Sequence, residues 1–385
     1  MTKGNFPLEK LKGIETPYYY YDMELLKKTL KIVKEETKKY GYQQHYAVKA
    51  NANSRILSLI ASEGFGADCV SGNEVKAAVN AGFPASKIVF AGVGKTDKEI
   101  NLALDLNIFC FNVESLPELS VINELACKKG KIAQVALRIN PNVDAHTHEY
   151  ITTGLSENKF GFSMAHIDDA IELLKSLKNI KLIGLHFHIG SQIENIEVFE
   201  PLCMRINELQ DYFEQKEIRL ENINVGGGLG IDYEDPDANP IPDFASYFEL
   251  FHKNLKLRSG QLVHFELGRS IVGQTGTLVT RAVYIKHGEV KDFVIVDAGM
   301  SDLIRPALYQ AYHKVENISS DMPEVKYDVV GPICESSDVF VKDYMLPETK
   351  RGDILILRSA GAYGEIMAMQ YNCRDLPKAH FSDKI

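Results

Sequence analysis

Four kinds of side chain in this sequence could together run amine–carbonyl chemistry. Lys49, in Tyr46-Ala47-Val48-Lys49-Ala50-Asn51, offers an amine; His188, in His186-Phe187-His188-Ile189-Gly190-Ser191, offers a flat ring. Gly226-Gly227-Gly228 can aim backbone N–H groups at an anion, and His264-Phe265-Glu266-Leu267-Gly268-Arg269 places a carboxylate beside an arginine. Each has a plainer reading alone. A lysine closing a strand is usually solvated, and a histidine is more often satisfied in a core. Triple glycine usually marks a tight turn, and a lone glutamate an exposed strand end. Together they meet the needs of pyridoxal 5′-phosphate, which takes an amine for a Schiff base, donors for its phosphate, a flat group over its ring and an acid at its ring nitrogen. Lys49, Gly226–Gly228 with Ser191 and Arg269, His188 and Glu266 fit those four jobs in turn.

Such groups must be brought to one place by the elements that carry them. Short apolar runs alternate with amphipathic stretches and predict strands at Gln44–Lys49, Gly66–Val70, Ile88–Gly92, Ile108–Asn112, Ala133–Asn140, Leu182–Ile189, Ile223–Gly227 and Leu262–Glu266. Helical patterns fall between them, for example Ser54–Ser62, Gly72–Ala81, Thr96–Leu106, Ile167–Leu177, Glu197–Gln215 and Asp243–Lys256. Eight strand-then-helix units over about 220 residues predict an α/β fold of the (β/α)8, or TIM, barrel type, whose reactive residues gather where the strands end. Asp68 on the second strand and Arg138 on the fifth also reach that mouth. Either could tune the lysine or the ring, or serve as salt-bridged scaffolding.

After Glu266 the rhythm changes to β-segments at Gly276–Lys286, Asp292–Asp297, Lys326–Val330, Ser337–Val341 and Asp353–Leu357, a second, β-rich domain. Thr16–Asp22 is strand-like ahead of a helix at Met23–Tyr40, and it could pair with that later sheet. The expected domains are residues 24–270, the barrel, and 1–23 with 271–385.

The 385 residues include 45% apolar and 25% charged side chains, ordinary globular usage. A net charge of −9 with no long basic block disfavours a nucleic-acid or anionic-membrane partner. No stretch reaches the roughly 18 apolar residues of a membrane span, and the amino terminus lacks a secretory core, which predicts a cytoplasmic protein. Six scattered cysteines form no C-x-x-C pair, so they read as reduced thiols. His146 and His148 have metal-like spacing but no carboxylate cage, so no metal is expected and a surface or substrate-gate role is favoured.

Seven motifs then carry a family resemblance: YAVKAN (46–51), HIGSQ (188–192), GGGLGI (226–231), ELGR (266–269), DAGMSDLIRPALY (297–309), GPICESSD (331–338) and GAYG (361–364). In order over almost the whole chain, they resemble those of the diaminopimelate decarboxylases, in the alanine-racemase-like fold class of pyridoxal-phosphate enzymes. The resemblance implies that Lys49 holds the cofactor, His188 stacks on the ring, Ser191 and Gly226–Gly228 hold the phosphate and Glu266 pairs with the ring nitrogen. Related racemases use arginine there, so Glu266 speaks for decarboxylation. The family usually has proline where this chain has Leu267, which adds a free N–H to the turn placing Gly268 and Arg269.

Further along, Arg305 and Tyr309 with Arg269 make a plausible fork for a distal carboxylate, with Glu335 meeting the ammonium beside it. That suits meso-diaminopimelate, with L-lysine as product. Ornithine, arginine or carboxynorspermidine decarboxylases, and a non-catalytic carrier of the cofactor, are the alternatives. Cys334, read as a partly buried thiol, is the candidate to protonate Cα, and Tyr363 would touch cofactor and substrate. The resemblance also implies a homodimer with a shared active site, Cys334 and Glu335 coming from the neighbouring subunit.

Overall fold

The computed structural model describes residues 6–142 and 159–385. They divide into two compact units: one takes the described residues of 30–230 with 243–268, the other those up to 29 with 231–242 and 269–385. Strand β1 (Tyr18–Tyr21) belongs to the second unit. The next eight strands make the first: β2 (Gln43–Ala47), β3 (Gly66–Cys69), β4 (Ile88–Phe90), β5 (Cys110–Val113), β6 (Ala133–Arg138), β7 (Ile180–His186), β8 (Asn222–Asn224) and β9 (Leu262–Leu267). All pair in parallel, and β9 returns to β2 to close the barrel.

Side-chain parity along β9 shows how the strands sort their residues. Phe265 faces outward, meeting Phe248 at 4.8 Å, Phe251 at 5.1 Å and Tyr42 at 5.1 Å between ring centroids. Burying such a ring contributes about 1.5–3 kcal/mol. Since neighbours alternate, His264 and Glu266 face the barrel interior. Five of the surrounding helices begin at polar caps: Asn53, Ser71, Ser115 and Asp243 each accept a backbone N–H of the first turn, and Thr96 with Glu99 forms a capping box. Each cap stabilises its helix by about 1 kcal/mol.

All eight predicted barrel strands are present, but several stop earlier than expected. Pairing ends at Ala47, His186 and Asn224, so Lys49, His188, Gly226 and Gly227 lie beyond their strands. Lys49 sits in a 3₁₀ turn, Val48–Ala50. Apolar residues continue past the last ladder bond here, which is why periodicity overruns the strand.

The second unit contains β1 and β10 (Gly276–His287), β11 (Asp292–Val296), β12 (Val315–Asn317), β13 (Glu324–Val330), β14 (Val339–Pro347), β15 (Ile354–Leu357) and β16 (Lys378–Phe381). Its sheet runs β12-β15-β10-β11-β13-β14, and β1 pairs antiparallel with β10 and parallel with β16. The pairing of the early strand with the later sheet is therefore observed. All four tyrosines of β1 are buried, and three of their hydroxyls find acceptors: Leu11 O at 3.1 Å, Asp302 O at 2.7 Å and Glu365 Oε2 at 2.6 Å. β12 and β16 were not anticipated; Val-Glu-Asn and Lys-Ala-His-Phe carry no apolar run. Among the described residues no helix is long and apolar enough to cross a membrane.

Candidate active site

Lys49 points its ammonium at Asp68, Nζ to Oδ2 being 3.2 Å. Asp68 is fully buried, and burial together with the charge of Glu266 raises its carboxyl above the usual range, against the pull of Lys49. Glu266, 7% exposed, is not a solvated strand end. Its Oε1 accepts from Asn112 Nδ2 at 3.1 Å and Asn224 Nδ2 at 2.6 Å, and its Oε2 accepts from His186 Nε2 at 2.8 Å. Burial alone would raise this carboxyl. The facing His186, its hydrogen bond and the charge of Lys49 outweigh burial and hold it far below the usual carboxylate range. Because a carboxylate only accepts, His186 carries its proton on Nε2. Of the roughly four lone-pair directions on Glu266, three are matched by donors. The remaining one suits a protonated ring nitrogen, so the residues present fit pyridoxal phosphate.

His188 is half-buried, and desolvation, reinforced by Lys49 and Arg138, pushes its imidazole well below the usual histidine range, leaving a neutral ring. Arg138 pairs with Glu114 at 3.1 Å, both buried, and Glu114 also accepts the N–H groups of Gly92 and Gly161. In the glycine loop, Gly226 and Gly228 have φ of +73° and +116°, a region that favours glycine. The Gly226 N–H goes to Asn224 Oδ1 at 2.9 Å, and that of Gly227 leans on His188 Nδ1 at 3.5 Å. Two of the three expected phosphate donors thus already face protein acceptors. Ser191 follows β7, half-buried. A Cβ on Gly227 would meet the Glu266 carbonyl oxygen at 2.2 Å. Gly227→Ala is therefore expected to shift the loop and lower stability by about 1–3 kcal/mol; an unchanged urea midpoint would reject this.

Leu267 takes its place in the ladder opposite Tyr46, fully buried, so β9 extends one residue further than predicted. Gly268 is then held by contact: a Cβ there would lie 2.9 Å from Ala50 Cβ and 3.0 Å from Ala47 Cβ.

In the β-rich unit, Arg269 Nη1 and Arg305 Nη1 donate to one oxygen, Tyr233 Oη, at 2.6 and 2.9 Å. Burial would raise that phenol, but the two guanidiniums prevail and hold it below the usual tyrosine range. Arg305 Nη1 also donates to His313 Nε2 at 2.9 Å. Tyr309 closes the short helix Arg305–Tyr309, half-buried; the shared acceptor of the two arginines is Tyr233. Tyr363, at a left-handed φ of +57°, lies under Arg269, 4.9 Å from ring centroid to Cζ.

Comparison with known proteins places this geometry. The family described as pyridoxal-dependent decarboxylase, pyridoxal binding domain, matches residues 24–273. The diaminopimelate decarboxylase of Bacteroides thetaiotaomicron is 61% identical over 384 residues, covering 100% of each chain. This chain belongs to the pyridoxal-dependent decarboxylases. Another relative, the diaminopimelate decarboxylase of Neisseria meningitidis serogroup B, is 43% identical over 94% of this chain and 86% of its own length. The crystal structure of Helicobacter pylori diaminopimelate decarboxylase complexed with L-lysine superposes with a TM-score of 0.90 at 41% identity, covering 98% of this chain and 94% of that one.

As in that family, the cofactor of this pyridoxal-dependent decarboxylase is pyridoxal phosphate. Cys334 departs from the reading of a partly buried thiol: in this chain it is exposed, and so is Glu335. Their loop is nonetheless pinned. Asp338 accepts the N–H groups of Ile333 at 2.7 Å and Met300 at 2.6 Å, Asn372 accepts that of Cys334 at 3.1 Å, and Tyr371 donates to Glu335 at 2.6 Å. His146 and His148 lie outside the described residues.

Sequence reasoning passed over Asn112, Asn224, His186, Tyr233 and His313. The first three carried a usable signal, each being a polar residue inside an apolar barrel run, with His186 and Asn224 two positions before His188 and Gly226.

Proposed function

We propose that this protein removes CO2 from meso-2,6-diaminopimelate to give L-lysine, the last step of lysine biosynthesis. The observation that carries the reading is Glu266, a buried carboxylate fixed by three donors, because an anion at the ring nitrogen keeps that nitrogen protonated. When bound, pyridoxal phosphate supplies the electron sink that takes the charge left on Cα as CO2 departs. Lys49 holds it covalently through Nζ, and Asp68, 3.2 Å away, tunes that amine. His188 covers the ring. Ser191 and the Gly228 end of the Gly226–Gly228 loop, with Gly268 and Arg269, hold the phosphate end, the Gly226 and Gly227 N–H groups serving the loop itself.

Cys334 Sγ delivers the proton that replaces CO2. Arg269, Arg305 and Tyr309 receive the distal carboxylate, Glu335 meets its neighbouring ammonium, and Tyr363 touches both cofactor and substrate. The exposure of Cys334 and Glu335 supports a homodimer in which they serve the neighbouring subunit. Within 24–270, the expected barrel domain, the cofactor-binding unit of this reading is 30–230 with 243–268, since 231–242 cluster with the β-rich unit. A cytoplasmic place of action is supported by six cysteines that are all free thiols.

The test is CO2 release from meso-diaminopimelate by purified holoenzyme; absorbance of bound cofactor without gas release rejects the reading. Substrate choice is checked separately. Arg305→Ala is expected to raise KM for meso-diaminopimelate about 10- to 100-fold, as loss of a charged hydrogen bond should. An unchanged KM counts against the arginine pocket.

A further inference from the structure

We propose that Tyr233 and His313 are the positioning residues that set substrate specificity, aligning Arg305 between a phenol and an imidazole so that a carboxylate on the substrate tail pairs with its charge. This rests on the reading of a distal-carboxylate pocket given above.

Other buried arginines show the contrast. Arg358 is held by Asp237 at 2.6 and 3.1 Å and by Glu316 at 2.8 Å, so its charge is neutralised within the fold. Arg138 has Glu114. Arg305, only 6% exposed, is oriented instead by a phenol and an imidazole. The imidazole of His313 cancels no charge. The Arg305 guanidinium stays protonated in any case, since arginine does not discharge in proteins.

Backbone contacts fix the tautomer of His313. Its Nδ1 is 2.9 Å from the carbonyl oxygen of Arg358, which can only accept, so the proton sits on Nδ1 and Nε2 presents its lone pair to Arg305. His313 is 1% exposed, and burial, then the charge of Arg305, pushes it down to about 3, so it remains a neutral acceptor over the working range. Its ring also meets that of Tyr233 edge-on, 5.3 Å between centroids. Tyr233 in turn packs under both guanidiniums, at 5.2 Å for Arg305 and 6.0 Å for Arg269. Two cations are thus held in register through one oxygen, and Arg305 favours an incoming anion over an ammonium tail.

The experiment compares three variants as holoenzymes by steady-state kinetics on meso-diaminopimelate. His313→Gln keeps a neutral acceptor and should leave KM within about threefold of wild type. His313→Glu places a carboxylate on Arg305 and should raise KM about 10- to 100-fold while kcat changes less than about threefold. Tyr233→Phe, the mildest change in shape, should raise KM in the same direction and covers the case in which His313→Glu does not fold. The proposal is overturned if His313→Glu and His313→Gln behave alike, if kcat falls instead of KM rising, or if Tyr233→Phe leaves KM unchanged. Wild-type holoenzyme that releases no CO2 from meso-diaminopimelate would instead sink the parent reading, and this one with it.

Discussion

Lys49→Ala is expected to cut turnover by about 10³-fold or more, the scale seen when a group that bonds covalently in the reaction is removed. The loss should be chemical and not a failure to fold. Asp68, 3.2 Å from the amine, would lose its cation, but its carboxyl is already raised by burial and can take up a proton instead of remaining as a stranded charge. Two measurements check this. Borohydride-treated wild type should carry the cofactor adduct on Lys49 by peptide mass spectrometry, and the variant should carry none. Turnover within tenfold of wild type, or an adduct on another lysine, would remove the basis for every role assigned at the barrel mouth.

Glu266→Gln is expected to lower kcat about 10²- to 10³-fold, comparable to deleting one preorganised electrostatic partner of a transition state. It should also cost about 1–3 kcal/mol of stability, since an amide nitrogen turned toward Asn112, Asn224 or His186 leaves a buried donor unmatched. Acid sensitivity gives a second readout. The Glu266 carboxyl lies far below its unfolded value of about 4.3, so the unfolded chain takes up its proton first as pH drops. The stability it contributes is complete above that unfolded value and is lost as pH falls toward the folded one. Wild type should therefore lose stability more steeply than Glu266→Gln below about pH 4 in denaturant melts at stepped pH. Parallel curves would mean that Glu266 is not held as an anion.

The barrel was legible because its strands are buried on both faces and read as uninterrupted apolar runs between amphipathic helices. Lys49, Asp68 and Glu266 could be picked out because each is a charged residue at the end of such a run. The supporting groups were harder to see for particular reasons. Tyr233 lies in Ile231–Pro242, a stretch rich in Asp and Pro that reads as solvated loop, and its bond to Arg305 spans 72 positions of sequence. His313 follows a helix of five residues, too short to show periodicity. Cys334 sits beside buried Ile333 in a loop held by Asp338, and no local pattern separates an inward neighbour from an outward one in such irregular backbone. The glycine loop was recognised as tight, yet its contact with His188 depends on a side chain 39 positions away that only the closed barrel brings near.

Strand β1 has a consequence for how the chain is made. Its tyrosines leave the ribosome ahead of the barrel strands, whereas residues 378–381, which cover one side of the strand, emerge about 360 residues later, on the order of tens of seconds at typical elongation rates. The barrel strands, all synthesised in between, can close meanwhile. Until residues 378–381 arrive, β1 has an open hydrogen-bonding edge and four aromatic side chains awaiting cover, so a translational stall just short of them would leave the nascent chain with a ready template for aggregation.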